Sequence, residues 1–438
     1  MNYMPRNIDS DLTLWAGLPA NERHPLLVRG ARQVGKSSSV RNMSNLFENF
    51  VELNLEQHRD VHVAFEGTLD PVEILRRLSV ILGRPITPGN TLLFLDEVQS
   101  CPGALEALRY FYEQLPVLHV IAAGSLLEFA LEEIPSFGVG RIRSLFMQPL
   151  SFGEFMVACG ENLLWEEICS ASPTRPLLKV FHDKSLELLR QFLLVGGMPK
   201  SVATYIRARD MLEVMQIIDD LVISFQADFA KYKRRIPSLL LREVFESVAA
   251  QAGGKFVFTK AANTTIYSVK QAVSLLTMAG LVLPVISTAA NGVPLGAEAN
   301  HSKVKMLLLD TGFTQRLLGL DLTAALFSND FTVINKGAIA EQFVGLELKK
   351  ASSVYSPENL YYWCREDKKG NAEVDYVVAR DGAVIPIEVK SGGRGSMQSM
   401  RLMMEMKKIH RGVRTSLENF ACYDGIEVWP LYAISNLR

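Results

Sequence analysis

Short apolar runs at regular intervals pattern the first third of the chain. Leu26-Leu27-Val28 is apolar and stops at Gly30, and Phe50-Val51-Glu52-Leu53-Asn54-Leu55 alternates with the period of a strand. Leu92 to Leu95 is an unbroken apolar run of strand length, and Leu118 to Ala123 is apolar except for His119. Between these runs lie helical patterns. Ser37 to Phe50 reads as one helix. Asp70-Pro71 opens another that continues through Leu82, with proline in the first turn, where its missing N–H costs little. A short helix from Asp9 to Gly17, capped by Asp9 or Ser10, comes before them all. Strands alternating with helices imply a parallel sheet covered on both faces.

The pattern then changes. Ser151 to about Lys233 is helical in period, interrupted at Gly196-Gly197-Met198-Pro199, which reads as a hinge. After the basic stretch Lys231 to Arg235, a helix from Leu239 to Ala250 precedes a short helix near Lys260. A further helix begins at Tyr267 and ends at Met278-Ala279-Gly280, and Leu281 to Val285 follows as a strand. That order fits a winged helix-turn-helix, a fold that docks DNA or serves only as a protein-interaction module. Near the C-terminal end, Asp381-Gly382 between two β-rich runs is a two-residue hairpin signal.

Composition narrows the class. The 438 residues allow two to four domains, and 48% apolar with 21% charged residues is a globular mixture. A formal net charge of −1 confines any nucleic-acid surface to a local patch. Five cysteines without a CxxC pair argue for reduced thiols and against a disulfide framework or zinc site, and the seven histidines show no metal-ligand spacing. With no signal-peptide pattern and no apolar run of the ~20 residues a membrane span needs, a cytoplasmic protein without membrane contact is expected.

The strongest chemical signal comes directly after the first apolar run. In HPLLVRGARQVGKSSSV, Gly30, Gly35, Lys36 and Ser37 stand in GxxxxGKS spacing between a strand and a helix, the order a phosphate-binding loop requires. Residues Gly30, Ala31, Arg32, Gln33, Val34, Gly35, Lys36, Ser37 and Ser38 are then expected to bind ATP or ADP. The glycines let successive N–H groups turn toward a polyphosphate, Lys36 neutralises its outer phosphates, and the Ser37 hydroxyl suits Mg²⁺. The run Leu92 to Leu95 ends in Asp96-Glu97: Asp96 is suited to hold Mg²⁺ and Glu97 to polarise an attacking water. Ser125, after Gly124 at the end of the next apolar run, is a candidate for contact with the γ-phosphate, though Gly-Ser also suits a plain turn.

GARQVGKS, LLFLDEVQ, AAGS, GRIRSLFMQPLSFGEF and LLVGGMP, in that order, resemble the bacterial and archaeal AAA+-type ATPases paired with a DUF4143 C-terminal region. Ala31 and Ser37 stand where proline and threonine are usual, and Ser37 keeps the hydroxyl. The resemblance implies that Arg141 or Arg143 senses the γ-phosphate, in cis or from a neighbouring subunit of a homo-oligomer; surface cations on a strand leave the same trace. It also implies that the helical segment is a lid over the nucleotide.

A second constellation lies in EVDYVVARDGAVIPIEVK. If Asp381-Gly382 forms the turn, Arg380 faces Ala383, and counting outward sets Asp375 opposite Glu388 and Glu373 opposite Lys390. All four then share one face, with Val374, Tyr376 and Val378 on the other beside Ile385, Ile387 and Val389. Opposed carboxylates repel unless a divalent cation neutralises them, and a nearby lysine stabilises charge on a phosphate under attack. The arrangement resembles the PD-(D/E)xK nucleases, particularly the Holliday-junction-resolvase-like members, with Val374 where the eponymous motif has proline. That resemblance implies a site of Asp375 and Glu388 as metal ligands, Lys390 at the phosphate, and Glu341 of GAIAEQFVGLEL completing the site from a preceding helix. Cross-strand Glu–Lys pairs on a solvated face are the plain alternative. Lys407, Lys408, His410, Arg411 and Arg414 form a basic cluster beyond, suited to a phosphate backbone or to solvent.

The expected fold class is α/β: a P-loop NTPase parallel sheet with a helical lid, a winged helix-turn-helix and a restriction-endonuclease-like C-terminal domain. The corresponding boundaries are an AAA+-type ATPase core over 1–150, the lid over 151–233, the winged helix over 234–300 and the nuclease-like domain over 301–438. Two functional readings are open. One is an ATP-driven DNA-processing enzyme. The other is an ATP-dependent switch whose nuclease-like domain binds nucleic acid or protein without cutting.

Overall fold

A computed structural model describes residues 3–133, 140–232, 236–319, 337–367, 370–390 and 397–437. The chain divides into two compact units, the first comprising Met1–Pro149 with Ser353–Pro357, the second Leu150–Ser352 with Glu358–Arg438.

In the first unit, β1 (Leu26–Arg29), β2 (Asn49–Asn54), β3 (Thr91–Asp96), β4 (His119–Ala123) and β5 (Arg143–Phe146) form a sheet in the order β2-β3-β4-β1-β5, with every pair parallel. β3 and β4 are buried along their whole length, which is why Leu92 to Leu95 and Val120 to Ala123 read as unbroken apolar runs. Leu93, Leu95, Val120 and Ala122 pack with Ile74, Leu78, Leu105, Leu108 and Phe111 in one core. Burying each such leucine or isoleucine contributes about 1.5–3 kcal/mol. The helix Pro71–Leu82 forms as read: Asp70 accepts the Val72 N–H at 3.0 Å, and Gly83 ends the helix in the left-handed region. The helix after the phosphate loop is shorter than expected. It spans Lys36–Met43, because Ser44 to Leu46 tighten into a 3₁₀ turn and Asn49-Phe50 are taken by β2. The first helix, Ile8–Ala16, begins one residue early; Asp9, in place of capping it, accepts the Arg6 N–H and the Tyr3 hydroxyl.

In the second unit, β6 (Val282–Thr288), β7 (Ala299–Leu308), β8 (Leu360–Asp367), β9 (Gly370–Arg380), β10 (Ala383–Val389), β11 (Gly412–Ser416), β12 (Ala421–Tyr423) and β13 (Ile426–Pro430) form one mixed sheet. Its order is β12-β13-β11-β10-β9-β8-β6-β7. The expected wing strand is therefore not separate. β6 pairs with β7 on one side and, in parallel, with β8 on the other. An unpaired edge on a strand as buried as β6 would leave backbone groups without partners, and β8 supplies them. The boundary at 300–301 consequently falls inside β7, the one at 233–234 lies outside the described residues, and the helices expected as a lid belong to this unit.

Those helices are Phe152–Ala158, Asn162–Ser170, Lys179–Val195, Pro199–Ala208 and Met211–Asp228. The break between the third and fourth is a packed corner rather than a hinge. A Cβ on Gly196 (φ +72°) would overlap Asp310 Oδ1, and one on Gly197 would overlap the Leu150 carbonyl oxygen. The buried Asp310 accepts the N–H of Gly197 at 2.6 Å and of Gly312 at 2.8 Å. Among the described residues, no helix is long and apolar enough to cross a membrane.

Gly196→Ala should therefore cost about 2–4 kcal/mol through overlap and a strained φ. Thermal unfolding of the full chain checks this. An unchanged melting temperature would show that the corner yields.

Candidate functional site

In a parallel sheet the loops leaving the carboxyl ends of the strands all emerge at one edge, and the strand order decides which of them meet there. β4 lies between β1 and β3, so the loop after β1, the carboxylates after β3 and Gly124-Ser125 after β4 converge. The loop itself needs Gly30 (φ +141°), whose Cβ would overlap the Met147 carbonyl oxygen, and Gly35 (φ +104°) at the start of helix Lys36–Met43. Arg6 braces the loop from behind, donating to the carbonyls of Val34 at 2.9 Å and Gln148 at 2.7 Å.

The Lys36 side chain is buried, and its Nζ donates to the loop's own carbonyls, Gly30 at 2.9 Å and Ala31 at 2.8 Å. Burial lowers this ammonium to about 8, although Glu97 and Asp96 pull the other way. Ser37 Oγ donates to Asp96 Oδ2 at 2.8 Å. A hydroxyl and a carboxylate already in contact fit Mg²⁺ held by Ser37 and Asp96. Glu97 sits in the left-handed region (φ +48°), and one of its oxygens, Oε2, accepts from Gln99 Nε2 at 2.6 Å and Ser125 Oγ at 3.2 Å. Ser125 thus reaches Glu97. Gln99 was not singled out from sequence. Its other amide atom, Oε1, is buried without a partner against Gly124, where any Cβ would overlap it. The only advance signal was its place in LDEVQ, two residues after Glu97.

Arg141 and Arg143 are elsewhere. Arg143 pairs with Leu26, the first residue of β1, whereas the phosphate loop leaves from the last. It stacks over the Tyr355 ring at 5.5 Å, and Arg141 binds Glu113 at 2.6 Å. Both lie at the opposite end of the sheet from the loop.

In the second unit Asp381 (φ +50°) and Gly382 (φ +76°) make the turn, and β9 pairs with β10 from Arg380↔Ala383 to Tyr376↔Ile387. That is the register read from the turn, and the observed ladder ends at Tyr376↔Ile387, one step short of Asp375 and Glu388. Lys390 Nζ binds Glu388 Oε1 at 2.7 Å, not Glu373. Asp375 Oδ2 accepts the Val389 N–H at 2.8 Å, while Glu388 Oε2 is buried without a partner. Burial first, then Asp375, raises Glu388 to about 7, against the bond from Lys390.

Glu341 arrives from helix Ala338–Lys350, which is buried on every side from Ile339 to Leu348. Such a helix must find a partner for each polar group it carries. Gln342 donates to the carbonyls of Leu308 at 3.0 Å and Asp310 at 3.2 Å, and Glu347 pairs with Lys350 at 3.0 Å. The partner of Glu341 is Lys305 on β7, which the sequence reading missed. Its Nζ lies 2.7 Å from Glu341 Oε1, 2.7 Å from Glu373 Oε1 and 3.5 Å from Asp375 Oδ1. Lys255 stands 3.7 Å from Glu373. Burial would lower the Lys305 ammonium, but Glu341, Asp375 and Glu373 together hold it above the ordinary lysine range. The available signal was a lysine inside the otherwise apolar run Val304 to Leu309. Among the described residues, no group of three or more His, Cys, Asp or Glu side chains is disposed to hold a metal ion. The basic cluster beyond is largely matched locally, Arg411 by Glu427 at 2.9 Å and Arg414 by Glu418 at 3.3 Å.

Comparison with known proteins bears on both units. Residues 22–156 match the family model of an AAA domain, residues 336–434 that of a domain of unknown function, DUF4143, and residues 186–324 that of a second, DUF8612. No curated protein matches the chain. Among solved structures, the Walker-type ATPase PABY2304 of Pyrococcus abyssi is similar at 15% identity and a TM-score of 0.46, over 72% of this chain and 96% of that one.

The loop generates two expected outcomes. Phosphate binding favours the charged form of Lys36, which in the free protein is lost as pH rises through about 8. ATP affinity should therefore fall above that pH by up to about tenfold per unit, with proton uptake on binding. Calorimetry in buffers of differing ionisation enthalpy reads the uptake, and a flat affinity from pH 7 to 9.5 would exclude it. Gln99→Ala should lower kcat roughly tenfold to a hundredfold by releasing Glu97, with ATP affinity unchanged; equal loss of both would make Gln99 merely structural.

Proposed function

For a chain that joins an AAA-type ATPase domain to a C-terminal DUF4143 domain, we propose an ATP-hydrolysing switch whose second unit engages DNA. The observation that carries the first half is the convergence of Lys36, the Ser37–Asp96 pair and Glu97 at one edge of the sheet. When nucleotide arrives, the Lys36 ammonium exchanges the carbonyls of Gly30 and Ala31 for phosphate oxygens. Ser37 and Asp96 would hold Mg²⁺, which would supply charge neutralisation on the phosphates. Glu97 accepts a proton from, or orients, the attacking water, and Ser125 and Gln99 fix its carboxylate. An arginine for the transition state, whether Arg141 or Arg143, has to come from a neighbouring copy.

DNA engagement is supported by helix Ser238–Ala250, helix Ile266–Met278 and the β6–β7 hairpin, in winged-helix order. The second helix exposes Tyr267, Lys270 and Gln271. Of the cleaving and non-cleaving readings, the non-cleaving one is favoured by Lys305, whose ammonium sits among the carboxylates that a nuclease would use for metal.

Lys36→Ala should abolish ATP binding. Glu97→Gln should retain ATP yet lose turnover by about two orders of magnitude or more, measured as steady-state phosphate release with and without duplex DNA. Normal turnover in Glu97→Gln would move the base elsewhere. If turnover rises with protein concentration and loss of Arg141 or Arg143 removes that rise, the arginine acts between copies; turnover independent of concentration would exclude it.

A further inference from the structure

In the second unit the nuclease resemblance assigns Asp375, Glu388 and Glu341 to a divalent metal, and the residues around them do not fit one. A hard cation such as Mg²⁺ takes oxygens at about 2.0–2.1 Å in near-octahedral array and needs several of them free. Here Glu341 Oε1 and Glu373 Oε1 each bind the Lys305 ammonium at 2.7 Å, and Asp375 Oδ1 lies 3.5 Å from it. The other oxygen of Asp375 holds the Val389 N–H at 2.8 Å, and Glu388 Oε1 holds Lys390 at 2.7 Å. Glu388 Oε2 is buried without a partner, whereas at least one oxygen of each of the four carboxylates is already engaged by Lys305, Lys390 or the Val389 N–H.

Charge tells the same story. Four carboxylates (Glu341, Glu373, Asp375, Glu388) face three ammonium groups (Lys305, Lys255, Lys390), so the cluster is already close to neutral. A divalent ion between Glu341 and Asp375 would sit within a few ångströms of Lys305 Nζ. That nitrogen is almost wholly shielded from water, so the repulsion would be poorly screened. Moving the Lys305 ammonium away from Glu341 and Asp375 would give up two of its three ion-pair partners while most of its side chain stays buried.

We infer that Lys305 is the resident cation of this centre and closes it to divalent metals, so that the DUF4143 domain of this chain acts without metal-dependent cleavage. The lysine lies outside that domain's matched span: β7 falls within residues 186–324, whereas Glu341, Glu373 and Asp375 fall within 336–434. The preceding segment therefore sets the metal competence of the carboxylates that come after it. This deepens the non-cleaving reading and rests on it, but not on DNA binding.

The test is Mn²⁺ binding to the nucleotide-free full chain, monitored by the electron paramagnetic resonance of free Mn²⁺. Any weak binding at Ser37 and Asp96 is common to every variant, so differences alone are read. Wild type, Asp375→Asn and Glu388→Gln should give superimposable isotherms. Lys305→Met, if it folds by circular dichroism, should gain about one Mn²⁺ per chain, the stoichiometry of a single freed carboxylate centre. That gain should vanish again in Lys305→Met/Asp375→Asn. Loss of an Mn²⁺ from wild type on either single carboxylate substitution would overturn the inference. So would a folded Lys305→Met that gains none, since the hairpin itself would then exclude the metal. If Lys305→Met does not fold, the comparison of wild type with Asp375→Asn and Glu388→Gln decides. A separate filter-binding measurement on duplex DNA distinguishes the failures: absent DNA binding with unchanged Mn²⁺ isotherms removes the proposed partner and leaves the closed centre standing.

Discussion

An ionised side chain taken out of water costs several kcal/mol unless opposite charge and hydrogen bonds replace the solvent it lost. Both centres of this protein are organised by that constraint, with opposite results. In the first unit the buried Lys36 ammonium hydrogen-bonds only carbonyl oxygens, with Asp96 and Glu97 acting on it from a distance, and the Ser37–Asp96 pair is a single hydrogen bond. Those are weak, exchangeable partners, which the proposed polyphosphate and its cation would replace with stronger ones. In the second unit the buried ammonium of Lys305 already meets full negative charges. One arrangement is poised for a ligand. The other is complete without one.

How far the sequence carried the reading depends on the range of each interaction. The phosphate loop, Asp96-Glu97 and the Asp381-Gly382 turn are local: a glycine where φ must be positive, a proline at a helix start, an apolar run ending in carboxylates. Hairpin register came from the turn alone, because each residue's partner is fixed once the turn is. What escaped were pairings between distant segments. Nothing near β6 announces that β8 will close its edge, and nothing near Glu341 announces Lys305. The Gly196-Gly197 break looked like freedom because glycine permits it; in the fold the same absence of a side chain admits Asp310 and the Leu150 carbonyl. The place of the arginines was hidden for a related reason. Their spacing from the loop was visible, but not the parallel direction of β5, which sets Arg143 at the far end of β1.

Gln99 illustrates a finer point about the same edge. A carboxylate proposed to orient water, as Glu97 is, has to be held without being neutralised. An amide N–H and a hydroxyl do this where an arginine or lysine would stabilise the charge and weaken the base. Gly124 is the backbone counterpart of that choice, since a side chain there would occupy the space of the Gln99 carbonyl oxygen.

The five residues Ser353–Pro357 belong to the ATPase unit although the chain reaches them only after helix Ala338–Lys350 of the other. There Val354 accepts the Phe146 N–H at 2.7 Å beside the outermost strand, and Tyr355 takes the Arg143 guanidinium on its ring. The polypeptide thus passes between the units three times rather than once. The ATPase unit is not a cassette that one recombination joint after Pro149 can transplant into another protein. A descendant that inherited only the amino-terminal piece would carry an unfinished sheet edge, and that penalty is a physical reason for the two halves to travel together as one gene product.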